Sequence, residues 1–234
     1  MGVGRGFSTI KGSTFENVYL SVFKEYEFKN YTSSKLDFFP YATLTENIAK
    51  GDFEAKSGAE IFWKIDSSKQ INVTLNPDFG QVESDEVVVN FSAFETFYSD
   101  KRPFFSENNN LFDVKGRMHR IINTRRIGGK PDYDCSVYGE DSDYCNSNQV
   151  DSSEIDFALK YTQKGELDFG FLSASERDQK FSEGRDFYAL RLNTKKNDLR
   201  YGYLGTYVDK PVFDDSALVN SFDLEYLPSK IHRL

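Results

Sequence analysis

The side chains best equipped for chemistry are few. Two cysteines, Cys135 and Cys145, stand in CSVYGEDSDYC. A pair closing a short loop in an otherwise Cys-free chain suits one disulfide in an oxidising compartment; two free thiols in a loop are the alternative. Neither cysteine is poised as a nucleophile, because there is no Cys-x-x-Cys spacing and no neighbouring His to generate a thiolate. The surrounding stretch from Pro131 to Asp156 holds eight acidic residues and no Lys or Arg. Carboxylates and carbonyls of this kind could hold calcium, but their spacing departs from the EF-hand order, which favours a solvated loop. The two histidines, His119 and His232, are too far apart in the chain for a ligand pair. No Gly-x-Ser-x-Gly, His-Glu-x-x-His or phosphate-cradling loop occurs. The reading is therefore no enzyme, no cofactor and no metal site.

The elements that carry these residues are extended. The chain has 234 residues with a net charge of -8, which argues against a nucleic-acid partner, since phosphate binding needs a basic footprint. Aromatic residues make up 16% and charged residues 28%. So many rings in a hydrophilic chain suit a pleated sheet with one wet face. No run approaches eighteen apolar residues, so no transmembrane helix is expected. The N-terminal residues lack the apolar stretch of a secretory signal.

Strict alternation begins near Lys35. KLDFFPYATLTEN reads as a strand despite Pro40, which an edge or bulge tolerates best. From Phe53 to Ile65 the odd positions are mostly apolar and the even ones mostly polar, and after a Ser-Ser-Lys turn Ile71, Val73 and Leu75 continue the pattern as a hairpin. Downstream, EIDFALKYTQ places Ile155, Phe157, Leu159 and Tyr161 on one face. ELDFGFLSAS, RDFYALRLNTK, DLRYGYLGTY and LVNSFDLEYL repeat the theme across short polar turns. Segments of about ten residues exceed the usual globular strand and match a tilted strand crossing a bilayer. The expected fold class is all-β, an antiparallel transmembrane β-barrel with an inserted short helix or plug-like segment. A soluble sandwich with one solvated face per sheet is the alternative.

The alternation is interrupted by LNPDFGQVESDEVVVNFSAFETFYSDKRPFF, Leu75 to Phe105. Val87, Phe91, Phe94 and Tyr98 fall at helical spacing, Ser84 stands at an N-cap position, and Asp100 to Pro103 end the helix. This wording, followed by NTRRIGG at Asn123 to Gly129, resembles a family of bacterial outer-membrane proteins of unknown function. Their barrel domain usually follows a family-9-like carbohydrate-binding domain. The resemblance covers Ile71 to Gly129 closely, with DFFPYATL at Asp37 to Leu44 fitting the first barrel strands. It implies a barrel of more than eight strands, of which this chain is a partial member. Residues 1–35 are then an N-terminal connecting segment and 36–234 the barrel domain, with an insert at 78–130 and the acidic Cys-containing loop at 131–153.

Within the insert, Asp78, Glu83, Glu95, Lys101, Arg102, Arg125 and Arg126 are the candidate plug residues. Their charges suit pairing with a wet inner face, since a lumen retains water; a periplasmic cap is the competing placement. The expected function is a non-enzymatic barrel of the outer membrane of a Gram-negative-type bacterium. Its partners would be outer-membrane lipid and, for passage or surface handling, small solutes or glycans. The carbohydrate link comes from the resemblance alone. A soluble periplasmic β-sandwich that binds carbohydrate is the alternative function.

Overall fold

A computed structural model describes residues 3–8, 24–29, 34–47, 52–77, 100–114 and 121–226. The chain divides into two compact units, Met1–Ser34 and Lys35–Leu234. In the first, β1 (Val3–Ser8) and β2 (Lys24–Lys29) pair antiparallel. The helix expected after Ser84 lies outside the described residues, as do His119 and His232.

The second unit is built on eight antiparallel strands: β3 (Lys35–Asn47), β4 (Asp52–Lys64), β5 (Lys69–Leu75), β6 (Ile155–Gln163), β7 (Leu167–Glu176), β8 (Asp186–Lys196), β9 (Leu199–Lys210) and β10 (Asp215–Tyr226). Their order in space is their order in the chain, so the sheet is an up-and-down meander. Every strand falls on one of the alternating segments, as expected. The sheet is not closed: β3 and β10 are its two edges and are not paired with each other. Pro40 lies in edge strand β3, where a missing backbone donor costs least. The described helices are short, α1 (Pro103–Ser106) and α2 (Ser142–Ser147) among them. Among the described residues, no helix is long and apolar enough to cross a membrane.

The two ends of the sheet differ. At one end the connections are tight, at 65–68, 164–166 and 197–198. The first is closed by the Asp66 carboxylate, which accepts from the amides of Ser68 at 2.7 Å and Lys69 at 3.0 Å. The Ser68 hydroxyl is the leading cause that holds the Asp66 carboxyl below its usual range. In the third, Asn197 adopts φ 56°, a left-handed conformation that Asn tolerates better than most residues. At the opposite end lie the 177–185 and 211–214 connections and the long 76–154 insertion between β5 and β6.

Registered pairing sorts the side chains. On one face run Leu36, Trp63, Ile71, Tyr161, Phe171 and Leu190, each opposite the next across neighbouring strands. Phe169, Leu192, Tyr203 and Phe222 form a second such row. The other face carries Gln70, Asn72, Thr74, Lys160, Thr162 and Arg191, all buried. The polar face is thus the covered one. Ile155 departs from the expected pattern. The register shifts between Ile155 and Phe157, so Ile155 pairs with Glu176 and is buried on the polar face, not aligned with Phe157. A bulge adds one residue and reverses the parity of what precedes it.

The core lies where the insertion meets that polar face. Phe104, Phe105, Leu111, Phe112 and Ile127 pack on Ile155, Ala158, Leu172, Ala174, Phe187, Ala189 and Leu204. Each fully buried ring contributes about 1.5–3 kcal/mol by leaving water. Small wall residues admit the rings: a Cβ at Gly170 would lie 2.9 Å from both Leu111 Cδ2 and Phe112 Cζ. Gly170→Val should therefore destabilise the fold by about 1–3 kcal/mol through overpacking, read as a lowered thermal midpoint. Gly165→Ala, in the open 164–166 turn, should leave the midpoint unchanged.

Candidate functional site

The seat of the insertion is organised by one buried guanidinium. Arg102 is 2% exposed and grips Asp100 with two charge-assisted bonds, Nε to Oδ1 at 2.9 Å and Nη2 to Oδ2 at 2.7 Å. Its remaining donors reach the carbonyls of Ile127 at 2.7 Å and Thr124 at 2.8 Å, and the Thr124 hydroxyl donates to Asp100 Oδ2 at 2.9 Å. The guanidinium also lies 4.2 Å from the centre of the Phe105 ring. The fork geometry of Arg makes such multiple engagement possible. Two stretches read separately in the sequence, KRPFF and NTRRIGG, are thereby joined into one body.

The sheet holds that body through polar side chains of its covered face. Glu176 accepts from the Gly128 amide at 2.7 Å and from Arg185 Nε at 2.8 Å. Gly128 adopts φ +78°, which any residue with a Cβ would resist. Lys160 Nζ donates to the carbonyls of Phe104 and of Glu107, the latter at 2.6 Å, meeting carbonyls at the end of α1. Arg191 Nε donates to the Leu111 carbonyl at 3.2 Å while Nη2 donates to Asp223 Oδ1 at 3.0 Å. Asn72 reaches Glu107 at 3.3 Å, and Asn108 donates to Gln70 at 3.2 Å. An irregular segment buried on a sheet needs donors such as Lys160 and Arg191 for its carbonyls.

Where the insertion leaves and returns, Arg177 closes a clasp. It donates to Asp156 at 2.6 Å, Glu154 at 2.6 Å and Asn76 at 2.9 Å. Lys56 of β4 also binds Glu154, at 2.5 Å. The Lys56 hydrogen bond is the leading cause that holds the Glu154 carboxyl below its usual range, and Arg177 adds to it. Asp156, with Glu154, raises the Arg177 guanidinium in turn.

Cys135 and Cys145 form a disulfide, with Cα atoms 5.6 Å apart. The bonded loop sits at the end of the sheet with the longer connections, where both cysteines and Tyr133 pack with Phe181 of the 177–185 connection. The rings of Tyr138 and Tyr144 meet Phe181 edge-on at 5.1 Å and 5.8 Å. At the other end, a cavity of about 360 Å³ separates residues 110–113 of the insertion from β7–β10. Arg191 and Arg200 line it, each already paired, with Asp223 and Glu225 respectively.

Of the candidate plug residues, Asp78, Glu83 and Glu95 lie outside the described residues. Lys101 is exposed, Arg125 half-buried and Arg126 exposed, while Arg102 is buried and turned to Asp100 within the insertion. Of the residues that hold the insertion to the sheet, Lys160 and Arg191 fall on the polar side of the alternation, and Glu176 follows the ELDFGFLSAS segment. A charge two residues from Ala or Gly on the same face was the available signal: Ala158 precedes Lys160, and Ala189 precedes Arg191. Among the described residues, no cluster of three His, Cys, Asp or Glu could hold a metal.

Two outcomes follow. Arg102→Met leaves Asp100 buried and unpaired, so stability should fall by about 3–5 kcal/mol in urea, with faster tryptic cleavage at Arg125 and Arg126. Arg102→Lys should recover little, because an ammonium cannot reach all four acceptors. The clasp should depend on pH with the sign of a depressed carboxyl. It is fully formed above the ordinary Glu value of about 4.3 and is lost as pH falls below that, through the lowered folded value. Protection of the Asn76 and Arg177 amides against hydrogen exchange, referred to the intrinsic rate at each pH, should fall across that window from neutral to acid pH, and Glu154→Gln should abolish the change.

A search of curated proteins found no match, and a search of solved structures found none. A family model described as a domain of unknown function (DUF5916) matches residues 32–181, from just before β3 to Phe181. That span is well over half of the 234 residues and takes in the insertion, its seat on β5–β7 and the disulfide loop, so the chain belongs to the DUF5916 family.

Proposed function

We propose that this chain forms an arc of the wall of an outer-membrane β-barrel, with the insertion as a plug on the lumen side. Its function is non-enzymatic passage or surface handling of small solutes. The observation that carries the reading is the inversion of the sheet. Gln70, Asn72, Thr74, Lys160, Thr162 and Arg191 are buried on the covered face beside its apolar core, whereas Leu36 is 64% exposed, Phe222 80% and Leu224 66% on the other. A soluble sandwich buries its apolar faces against each other and wets the polar ones. Lipid in place of a second sheet accounts for the reverse, and an apolar surface of this extent marks a membrane or interaction site.

The aromatic positions support the same reading. Trp63, Tyr161, Tyr201 and Tyr226 lie on the apolar face toward the end with tight turns, and Tyr188 and Tyr207 lie toward the other end with ring centres 6.1 Å apart. Leu190, Leu192, Val73 and Leu159 fill the band between. Two belts around an aliphatic zone are what two bilayer interfaces select. Eight strands leave room inside for little more than side chains. A wall that surrounds the insertion is accordingly wider than eight strands, and β3 and β10 are the edges from which it continues.

Refolding with and without detergent micelles tests the proposal, with circular dichroism and heat-modifiable gel migration as readouts. β-structure and a migration shift that appear only with micelles would support it. A folded, soluble monomer in plain buffer would overturn it and return the sandwich to first place. Leu190→Arg, at mid-band, should cost about 2–4 kcal/mol in micelle-bound stability.

A further inference from the structure

The cavity between residues 110–113 and β7–β10 has a charge pattern of its own. Its size, about 360 Å³, is at the small end of the range of ligand sites, about 300–1,000 Å³. Its two arginines are neutralised: Arg200 Nη1 donates to Glu225 at 2.8 Å, and Arg191 holds Asp223 with two bonds. The Asp223 carboxylate occupies the space left by Gly202, where a Cβ would overlap it. The wall is thus built around these pairs, and neither guanidinium is available to capture an anion.

Other polar groups around the same cavity remain unspent. The side chains of Lys164, Asp113 and Asn110 line it without a hydrogen-bond or ion-pair partner. Asp168 uses Oδ1 for the Gly165 amide at 3.0 Å, and Asn193 has a buried Oδ1 that no donor reaches. One ammonium and two carboxylates, with two amides between, present both signs of charge in a small space. A simple anion would meet one attractive and two repulsive groups, and a simple cation would leave Lys164 opposing it. Among the described residues, no aromatic ring lines the cavity to give a sugar face a stacking platform.

We propose that this cavity binds a small zwitterionic solute of the amino-acid or short-peptide class. The solute's ammonium is taken by the carboxylates of Asp113 and Asp168, and its carboxylate by Lys164. The assignment rests on the reading of this face as the lumen side of a membrane wall and names the solute class for it. Because the cavity lies between plug and wall, a solute bound there touches both.

Isothermal titration on the micelle-refolded chain tests it, with diglycine, acetate, methylamine and glucose as probes. Diglycine is expected to bind at least tenfold more tightly than the other three. Lys164→Met and Asp168→Asn should each weaken diglycine at least tenfold; both keep the fold, since Lys164 is an exposed turn residue and Asn retains the acceptor for Gly165. Lys180→Met, beside the distant disulfide loop, should change nothing. Absence of diglycine heat from a folded sample, unchanged affinity in the two variants, or glucose bound as tightly as diglycine would each overturn the assignment. Folding in plain buffer would instead remove the membrane reading, while the titration on that folded sample would still report on the cavity.

Discussion

A buried carbonyl needs a donor, and in this protein the sheet supplies donors to a segment that cannot supply its own. The described residues of the insertion run in short helical turns, so much of their backbone is outside any ladder. Lys160 and Arg191 project from the strands to donate to the insertion's carbonyls, Asn72 donates to the Glu107 carboxylate, and Gln70 accepts from Asn108. Their presence makes that face polar. Once those side chains are committed to the covered face beside the apolar core, their immediate neighbours in sequence must point the other way, because the pleat allows only two directions.

The insertion also needs internal cohesion, since a chain of this irregularity loses much entropy when ordered. The Arg102–Asp100 pair provides it by drawing in Thr124 and Ile127 from over twenty residues away in sequence. Both charges are almost fully buried, so the cost of desolvation is met only by the complete set of bonds. The arrangement joins residues 100–105 and 124–127 of the insertion through their own groups, independently of the sheet. Glu176 then carries that unit to β7 through Gly128, and the Arg177 clasp fixes its points of departure and return at β5 and β6.

The ends of the sheet differ for related reasons. Tight turns at one end need only local chemistry, as with Asp66 and Asn197. The far end carries long connections, whose surfaces must be covered. The disulfide and the aromatic contacts of Phe181 with Tyr138 and Tyr144 do this for the acidic loop, which has little apolar content of its own.

By itself the sequence determined the eight strands and their antiparallel succession, because a period of two over ten residues is a local property and tight turns leave a meander little choice. It also marked the Cys135–Cys145 bridge, since two cysteines allow one pairing. Tertiary structure decided which face is covered. Periodicity sorts side chains relative to one another and cannot say where the insertion lands. It decided the position of Ile155, whose parity is reversed by a bulge that leaves no mark on the alternation. It alone brought Arg102 to Thr124, Glu176 to Gly128 and Arg191 to Leu111, contacts between residues separated by tens of positions, whose distances depend on the whole sheet being in place.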